Sequence, residues 1–207
     1  MTVSLRRALS EDQLDTSQAL HAPLFQNVLV KLDPSERSVL LDLGAASTAM
    51  LALFSESRCC VEIADVAHFG GCDRLNSAEP GPGLFDIAEA LLPERVTSDP
   101  VDIVFCWDLP NYLSLPALKA LMQAIGRRSR GGTIAHALIY YAERNMPKYP
   151  GRFVPTEDRK LENHALPGEL VSAPRYSPED LTDNMSGFAI DRARLLGNGM
   201  QEFLFRF

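Results

Sequence analysis

The stretch Ser38-Val-Leu-Leu-Asp-Leu-Gly44, running on through Ala45-Ala-Ser-Thr-Ala-Met-Leu-Ala-Leu-Phe-Ser-Glu-Ser57 into Cys59-Cys-Val-Glu-Ile-Ala-Asp65, decides the fold. Its first part is a short, almost unbroken aliphatic run closed by a glycine, the pattern of a strand buried on both faces of a parallel sheet. Helix formers follow, with Ser47 or Thr48 placed to cap the first turn. A second short apolar run then ends in an acid. Strand, glycine turn, helix and strand within about 30 residues make a βαβ unit, whose crossover is expected to be right-handed.

Toward the C-terminus the alternation continues. Val101-Asp-Ile-Val-Phe-Cys-Trp107 is the clearest strand of the sequence and runs into Asp108-Leu-Pro-Asn111. Ser114 caps a helix predicted over 115–125, Pro116 stands in its first turn, and Arg127-Arg-Ser-Arg-Gly-Gly132 leads from it into a strand over 133–141. Residues 142–176 are polar and punctuated by proline, and read as a long excursion or lid rather than as sheet. Ser177-Pro-Glu-Asp180 then opens a short helix, and segments 188–196 and 200–207 flank a Gly197-Asn-Gly199 turn as a β-hairpin. Toward the N-terminus, residues 5–20 and 23–31 read as two helices. The expected organisation is therefore an N-terminal helical cap over 1–34 and one α/β domain over 35–207. Only 35 residues separate Asp65 from Val101, with one convincing helix over 85–92. A full helix, strand and helix fits poorly there, so a third strand is either very short or trimmed away.

An alternating order that finishes with a helix and an antiparallel hairpin is not the plain doubly wound dinucleotide-binding order. At this point the chain resembles the class I S-adenosylmethionine-dependent methyltransferases. Val39-Leu-Leu-Asp-Leu-Gly-Ala-Ala-Ser-Thr48 is similar to the family's first strand and glycine loop, and Val61-Glu-Ile-Ala-Asp65 to its second strand with a terminal acid. Val101-Asp-Ile-Val-Phe-Cys-Trp-Asp-Leu-Pro-Asn-Tyr-Leu113 is similar to the fourth strand and its catalytic-face loop, and Gly131-Gly-Thr-Ile-Ala-His136 to the glycine-led fifth. The resemblance runs in order from about residue 35 to residue 207. It implies a three-layer Rossmann-like methyltransferase fold, with a mostly parallel sheet ending in an antiparallel β-hairpin. It also implies S-adenosylmethionine as cofactor and methyl transfer to a small-molecule acceptor. One departure stands out: the family's loop reads acid-x-Gly-x-Gly-x-Gly, and here the three glycine positions hold Gly44, Ala46 and Thr48.

The chemistry of these positions can be stated separately. A loop that runs from a strand into a helix presents backbone N–H groups, and glycine lets a ligand approach that backbone closely. Asp42 would accept from a cationic amino group, such as a methionyl ammonium, beside Gly44 and Ala46. Asp65 follows Gly44 by 21 residues, close to the spacing of a ribose-binding acid. Strand alternation turns Glu62 elsewhere. The resemblance places the methylsulfonium near Gly44 and Asp108, with Asp108 and Tyr112 as candidate catalytic residues and Tyr140 as a further aid. Methyl transfer would be an in-line displacement favoured by proximity and orientation. The Asp108-Leu-Pro-Asn-Tyr112 loop has a second reading, in which it only turns the chain and leads into the Ser114 cap. Trp107, the only tryptophan, reads as core, with stacking on an adenine as its other use. His136 reads as a hydrogen-bonded core histidine and His68 as an edge of the site. Arg127, Arg128 and Arg130 complement the end of a helix dipole.

Charge and composition bound the partners. The 207 residues carry 27 acids against 20 bases, a formal −7, which argues against a general surface for phosphate backbones or anionic lipid. Charge interrupts the N-terminus before any run of signal-peptide length, so a cytoplasmic protein without a membrane partner is expected. Cys59, Cys60, Cys72 and Cys106 show no metal or redox spacing and read as small buried hydrophobes. The expected partner is a small molecule, with no metal and no nucleic acid, and an oligomer of like or unlike chains is compatible with the sequence. Two other functions are open: a methyltransferase-like fold serving as a binding or assembly partner, and a nicotinamide-binding oxidoreductase. The loop lacks the G-x-G-x-x-G that the oxidoreductase would need.

Overall fold

The unbroken aliphatic runs lie side by side in one sheet in the computed structural model, which describes residues 17–207 apart from 56, 157 and 165–167. Strand β1 (Ser17–Leu20) and helix α1 (Pro23–Lys31) precede β2 (Ser38–Asp42), α2 (Thr48–Phe54) and β3 (Cys59–Ile63). Helices α3 (Gly71–Ser77) and α4 (Pro82–Ala90) lead to β4 (Val101–Trp107), α5 (Leu115–Gly126) and β5 (Ser129–Tyr140). Four short strands follow: β6 (Asn145–Pro147), β7 (Arg152–Pro155), β8 (Leu161–His164) and β9 (Leu170–Ser172). Helix α6 (Pro178–Asn184) and the hairpin of β10 (Ala189–Leu195) and β11 (Met200–Arg206) complete the chain.

The main sheet has the order β10-β11-β5-β4-β2-β3. Strands β3, β2, β4 and β5 are parallel, and β11 enters antiparallel between β5 and β10. Period-two alternation divides the buried side chains between two cores. Val39, Leu41, Val104, Cys106, Ala135, Ala137, Phe203 and Phe205 face the layer of α3, α4, α5 and α6. Leu40, Ile103, Phe105, Trp107, Leu138 and Leu204 face α1 and α2, where they meet Phe25, Val28, Met50 and Phe54. The result is the expected three layers around a sheet buried on both faces. The helix caps also match the sequence reading: Ser47 accepts from the Met50 amide, Ser114 from that of Ala117, and Ser177 forms a reciprocal capping box with Asp180.

Three expectations are corrected. Ser17–Leu20 is a strand, not the end of the helix predicted over 5–20, whose remaining residues lie outside the described ones. The excursion over 142–176 contains sheet: β1 pairs with β8, β8 with β7, and β6 with β9, all antiparallel. Those strands are three or four residues long and bury single side chains such as Met146, Phe153 and Leu161, too brief an alternation to stand out from polar sequence. Between β3 and β4 there are two helices, α3 as well as the predicted α4, and no strand among the described residues. Strand β3 therefore forms the edge of the sheet, and the third strand of the resembled family is missing.

Candidate functional site

The C-terminal ends of the parallel strands share one edge, where ligands of open α/β sheets collect. At the β2 end the chain leaves the sheet through Leu43 and Gly44 but stays tied to it. The Leu43 amide donates to the Phe105 carbonyl (3.0 Å), the Ala64 amide to the Asp42 carbonyl (2.8 Å) and the Val66 amide to the Leu43 carbonyl (3.0 Å). These bonds hold the turn after β3 against the glycine loop. They place Asp65, in a left-handed conformation at φ 41°, beside it. Asp65 is half-buried and its carboxylate lies 3.8 Å from His68 Nδ1. Burial raises its pKa, and His68 opposes that shift. Ala45 and Ala46 are exposed on the outer side of the loop. Glu62 points away, as alternation requires, and accepts from the Val96 amide at 3.2 Å.

The β4 end is built differently. Trp107 has φ 51° at a register shift in the pairing of β4 with β5, and its indole turns onto the glycine loop. Its Nε1 donates to Asp42 Oδ1 at 2.6 Å, and the Gly44 amide donates to the same oxygen at 2.9 Å. A Cβ at residue 44 would lie 2.8 Å from Trp107 Cδ1, so the glycine of the loop is required by the indole. The ring also stacks on Phe105 (centroids 5.2 Å) and, nearly parallel, on Phe153 of β7 (5.7 Å, 8°). Asp42 is thus buried, and burial lifts its pKa to about 6 against the Trp107 and Gly44 hydrogen bonds, with Asp65 raising it further.

Beyond Trp107, Asp108 is buried at the start of a short 3-10 turn. Its Oδ2 accepts from the Gly151 amide at 2.9 Å, whereas its Oδ1 has no hydrogen-bond partner. Burial pushes its pKa up to about 7. Asn111 fixes the turn, donating to the carbonyls of Asp108 and Leu138 and accepting from the Tyr140 amide. The Tyr112 hydroxyl lies 3.0 Å from the Pro147 carbonyl and 2.9 Å from that of Tyr149, and so fastens the segment after β5 over the edge. Burial and the nearby Asp108 carboxylate raise the pKa of both Tyr112 and Tyr140, keeping the two phenols protonated.

Asp42, Gly44, Asp65, Asp108, Tyr112 and Tyr140 therefore converge on one edge, while Ala46 flanks it. Trp107 is core, as expected. Sequence reasoning missed its seat on Gly44 and the closure of the edge by Gly151 and Phe153. It also missed Glu202, which is buried and accepts from the amides of Leu24 (2.9 Å) and Phe25 (2.7 Å) and pairs with His136 Nε2 (2.9 Å). His136 is thus the hydrogen-bonded core histidine expected. The available signal was an acid standing inside the apolar run Met200–Arg206. The three arginines are used locally: Arg127 pairs with Glu89, Arg128 donates to the Pro93 carbonyl and Arg130 pairs with Asp102. Of the four cysteines read as small buried hydrophobes in strands, only Cys106 is buried; Cys59, Cys60 and Cys72 are partly buried, and Cys72 lies on α3. Among the described residues, no helix is long and apolar enough to cross a membrane.

No protein-family model matches the chain, and no curated protein matches it. Solved structures do. A S-adenosylmethionine-dependent methyltransferase from Clostridium acetobutylicum ATCC 824 is similar with a TM-score of 0.51 and 12% identity, over 89% of this chain and 89% of that one. CalS10 is an amino pentose methyltransferase from Micromonospora echinaspora involved in calicheamicin biosynthesis, solved with S-adenosylmethionine bound. It aligns at TM-score 0.49 and 16% identity over 90% and 91% of the two chains. The 1,6-didemethyltoxoflavin-N1-methyltransferase of Burkholderia thailandensis, solved with S-adenosylhomocysteine, aligns at 0.47 and 13% over 88% and 77%. The chain has a class I methyltransferase-like fold, and at these identities the likeness is one of fold.

Proposed function

We propose that the protein binds S-adenosylmethionine at this edge and transfers its methyl group to a small-molecule acceptor. The observation that carries the reading is Asp108 Oδ1, a buried carboxylate oxygen with no partner at the end of the central strand of such a fold. An unpaired buried acceptor is costly, and a donor brought by a ligand would satisfy it. The donor set fits the cofactor. Asp65, half-buried beside the loop, can accept from both hydroxyls of a ribose. Asp42, Asp65 and Asp108 together give a negative field suited to a cation. When bound, S-adenosylmethionine supplies a methyl group activated on a sulfonium. Asp108, raised to about 7, changes protonation near neutrality and can hold an acceptor's proton at Oδ1. The protonated Tyr140 acts as a donor beside it, while the Tyr112 hydroxyl stays on the Pro147 and Tyr149 carbonyls. Phe153 and Gly151 exclude water from that side. We further place the protein in the cytoplasm, in keeping with four cysteines that form no disulfide.

A second reading is favoured by one observation, the indole seated on Gly44. In that reading the fold has given up cofactor binding and serves as a binding or assembly partner. Calorimetry with S-adenosylmethionine and S-adenosylhomocysteine separates the two. Methyl transfer requires saturable binding that Asp65→Ala weakens by about tenfold, roughly the loss of one or two hydrogen bonds to a charged acceptor. The absence of both heat and a thermal shift at millimolar ligand overturns it and leaves the second reading.

A further inference from the structure

We infer that Trp107 decides how much of a ligand the glycine loop admits. With the indole on Gly44, the loop takes a nucleoside, and an aminoacyl tail enters only when the indole leaves. This rests on the reading that the edge binds S-adenosylmethionine. The ring is held by Nε1 on Asp42 Oδ1 at 2.6 Å, by the stack on Phe105, by the nearly parallel stack on Phe153, and by the rings of Phe25 and His136. The approach that a glycine offers to a ligand is taken by the ring itself, 2.8 Å from where a Cβ would stand. The same ring occupies Asp42 Oδ1, on the acid otherwise suited to an ammonium group. Asp65 and the exposed Ala45 and Ala46 lie outside this arrangement. The two ends of an aminoacyl nucleoside would thus meet different surroundings, one open and one filled.

The clamp on the ring comes from the segment after β5. Phe153 covers the indole, and the neighbouring Gly151 amide is bonded to Asp108 Oδ2 at 2.9 Å. Loosening Phe153 therefore raises the population with the indole withdrawn and leaves the loop itself untouched. Apparent affinity for a ligand that needs the withdrawn state scales with that population, while affinity for one that does not is unchanged. Trp107 thereby acts as a specificity-determining residue, and the segment around Phe153 sets its threshold.

The chain has a single tryptophan, so tryptophan emission, excited selectively over the tyrosines, reports on this position alone. S-adenosylhomocysteine should shift the emission to the red as the indole leaves its stack, and adenosine should bind without that shift. In calorimetry Phe153→Leu should tighten S-adenosylhomocysteine by about tenfold and change adenosine by less than about twofold. Trp107→Phe, which keeps a ring but drops the hydrogen bond to Asp42, should likewise tighten S-adenosylhomocysteine and leave adenosine nearly unchanged, and serves if Phe153→Leu does not fold. Binding of S-adenosylhomocysteine with unchanged emission, or equal effects of the variants on both ligands, overturns the inference while the proposed cofactor stands. No binding of either ligand to folded wild-type protein overturns both.

Discussion

Two halves of one sheet edge are built in opposite ways. At β3 the acid is half-buried, its neighbours Ala45 and Ala46 are exposed, and backbone hydrogen bonds and the adjacent His68 ring set its position. At β4 the acid is buried, an indole fills the approach, and a later segment of the chain is fastened over it by Gly151, Phe153 and Tyr112. Both ends carry the residue types of a ligand site. Only the first has them facing outward, while the second uses most of them to hold itself together. Polar residues at the right edge of the right sheet therefore do not by themselves amount to a formed site. On the proposed reading the open half takes a ligand as it stands, and the filled half rearranges to take one.

If that contrast is right, substitutions in the filled half should cost stability and those in the open half should cost binding. The largest effect is expected from Trp107→Ala, which empties a buried aromatic position and should lower the unfolding free energy by about 3–5 kcal/mol in urea denaturation. A loss below about 1 kcal/mol would mean that the indole is not seated as described.

Next comes pH. Asp108 has its pKa raised on folding to about 7 and Asp42 to about 6. For an acid shifted upward, the folded chain keeps a proton that the unfolded chain has released, so stability falls as pH rises between the two values. The unfolding free energy from urea denaturation should accordingly decline from about pH 4 to about pH 7, by on the order of a few kcal/mol in all. Asp108→Asn should flatten much of that slope while keeping an acceptor for the Gly151 amide. An unchanged slope would place the titration elsewhere. A smaller effect is expected from Tyr112→Phe, where loss of the hydroxyl bond to the Pro147 and Tyr149 carbonyls should cost about 1 kcal/mol. The smallest is Asp65→Asn, which tolerates the left-handed backbone at this position: below about 0.5 kcal/mol in stability although it weakens ligand binding. A large loss of stability there would erase the contrast between the two halves.

The sheet was legible in the sequence because its strands are buried on both sides, and an unbroken run such as Val101–Trp107 has few other readings. The C-terminal hairpin was legible from Gly197-Asn-Gly199, and the caps from Ser47, Ser114 and Ser177. The short strands β6 to β9 were not, since each buries at most two side chains and β8 also takes a partner far away in sequence, where Leu161 pairs with Leu20. Of the site, the positions of Asp42, Asp65 and Asp108 followed from strand ends, but the direction of their carboxylates did not. Whether Asp42 faces a ligand or Trp107 depends on one left-handed residue at the end of β4 and on a phenylalanine 46 positions later. Gly44 was legible as a close approach, and the indole of Trp107 makes one. Glu202 was hidden because its partners, the first amides of α1 and His136, are assembled only in three dimensions.

Hydrogen exchange in the presence and absence of S-adenosylhomocysteine tests the central claim most directly, since it reports where the ligand sits as well as whether it binds. The account predicts slowed exchange in peptides covering 44–47 and 64–66, together with faster exchange at 151–153 as the segment over Trp107 loosens. Protection confined to other surfaces, such as the shallow cavity between Phe85 and Arg127, or no change at saturating ligand, would contradict it.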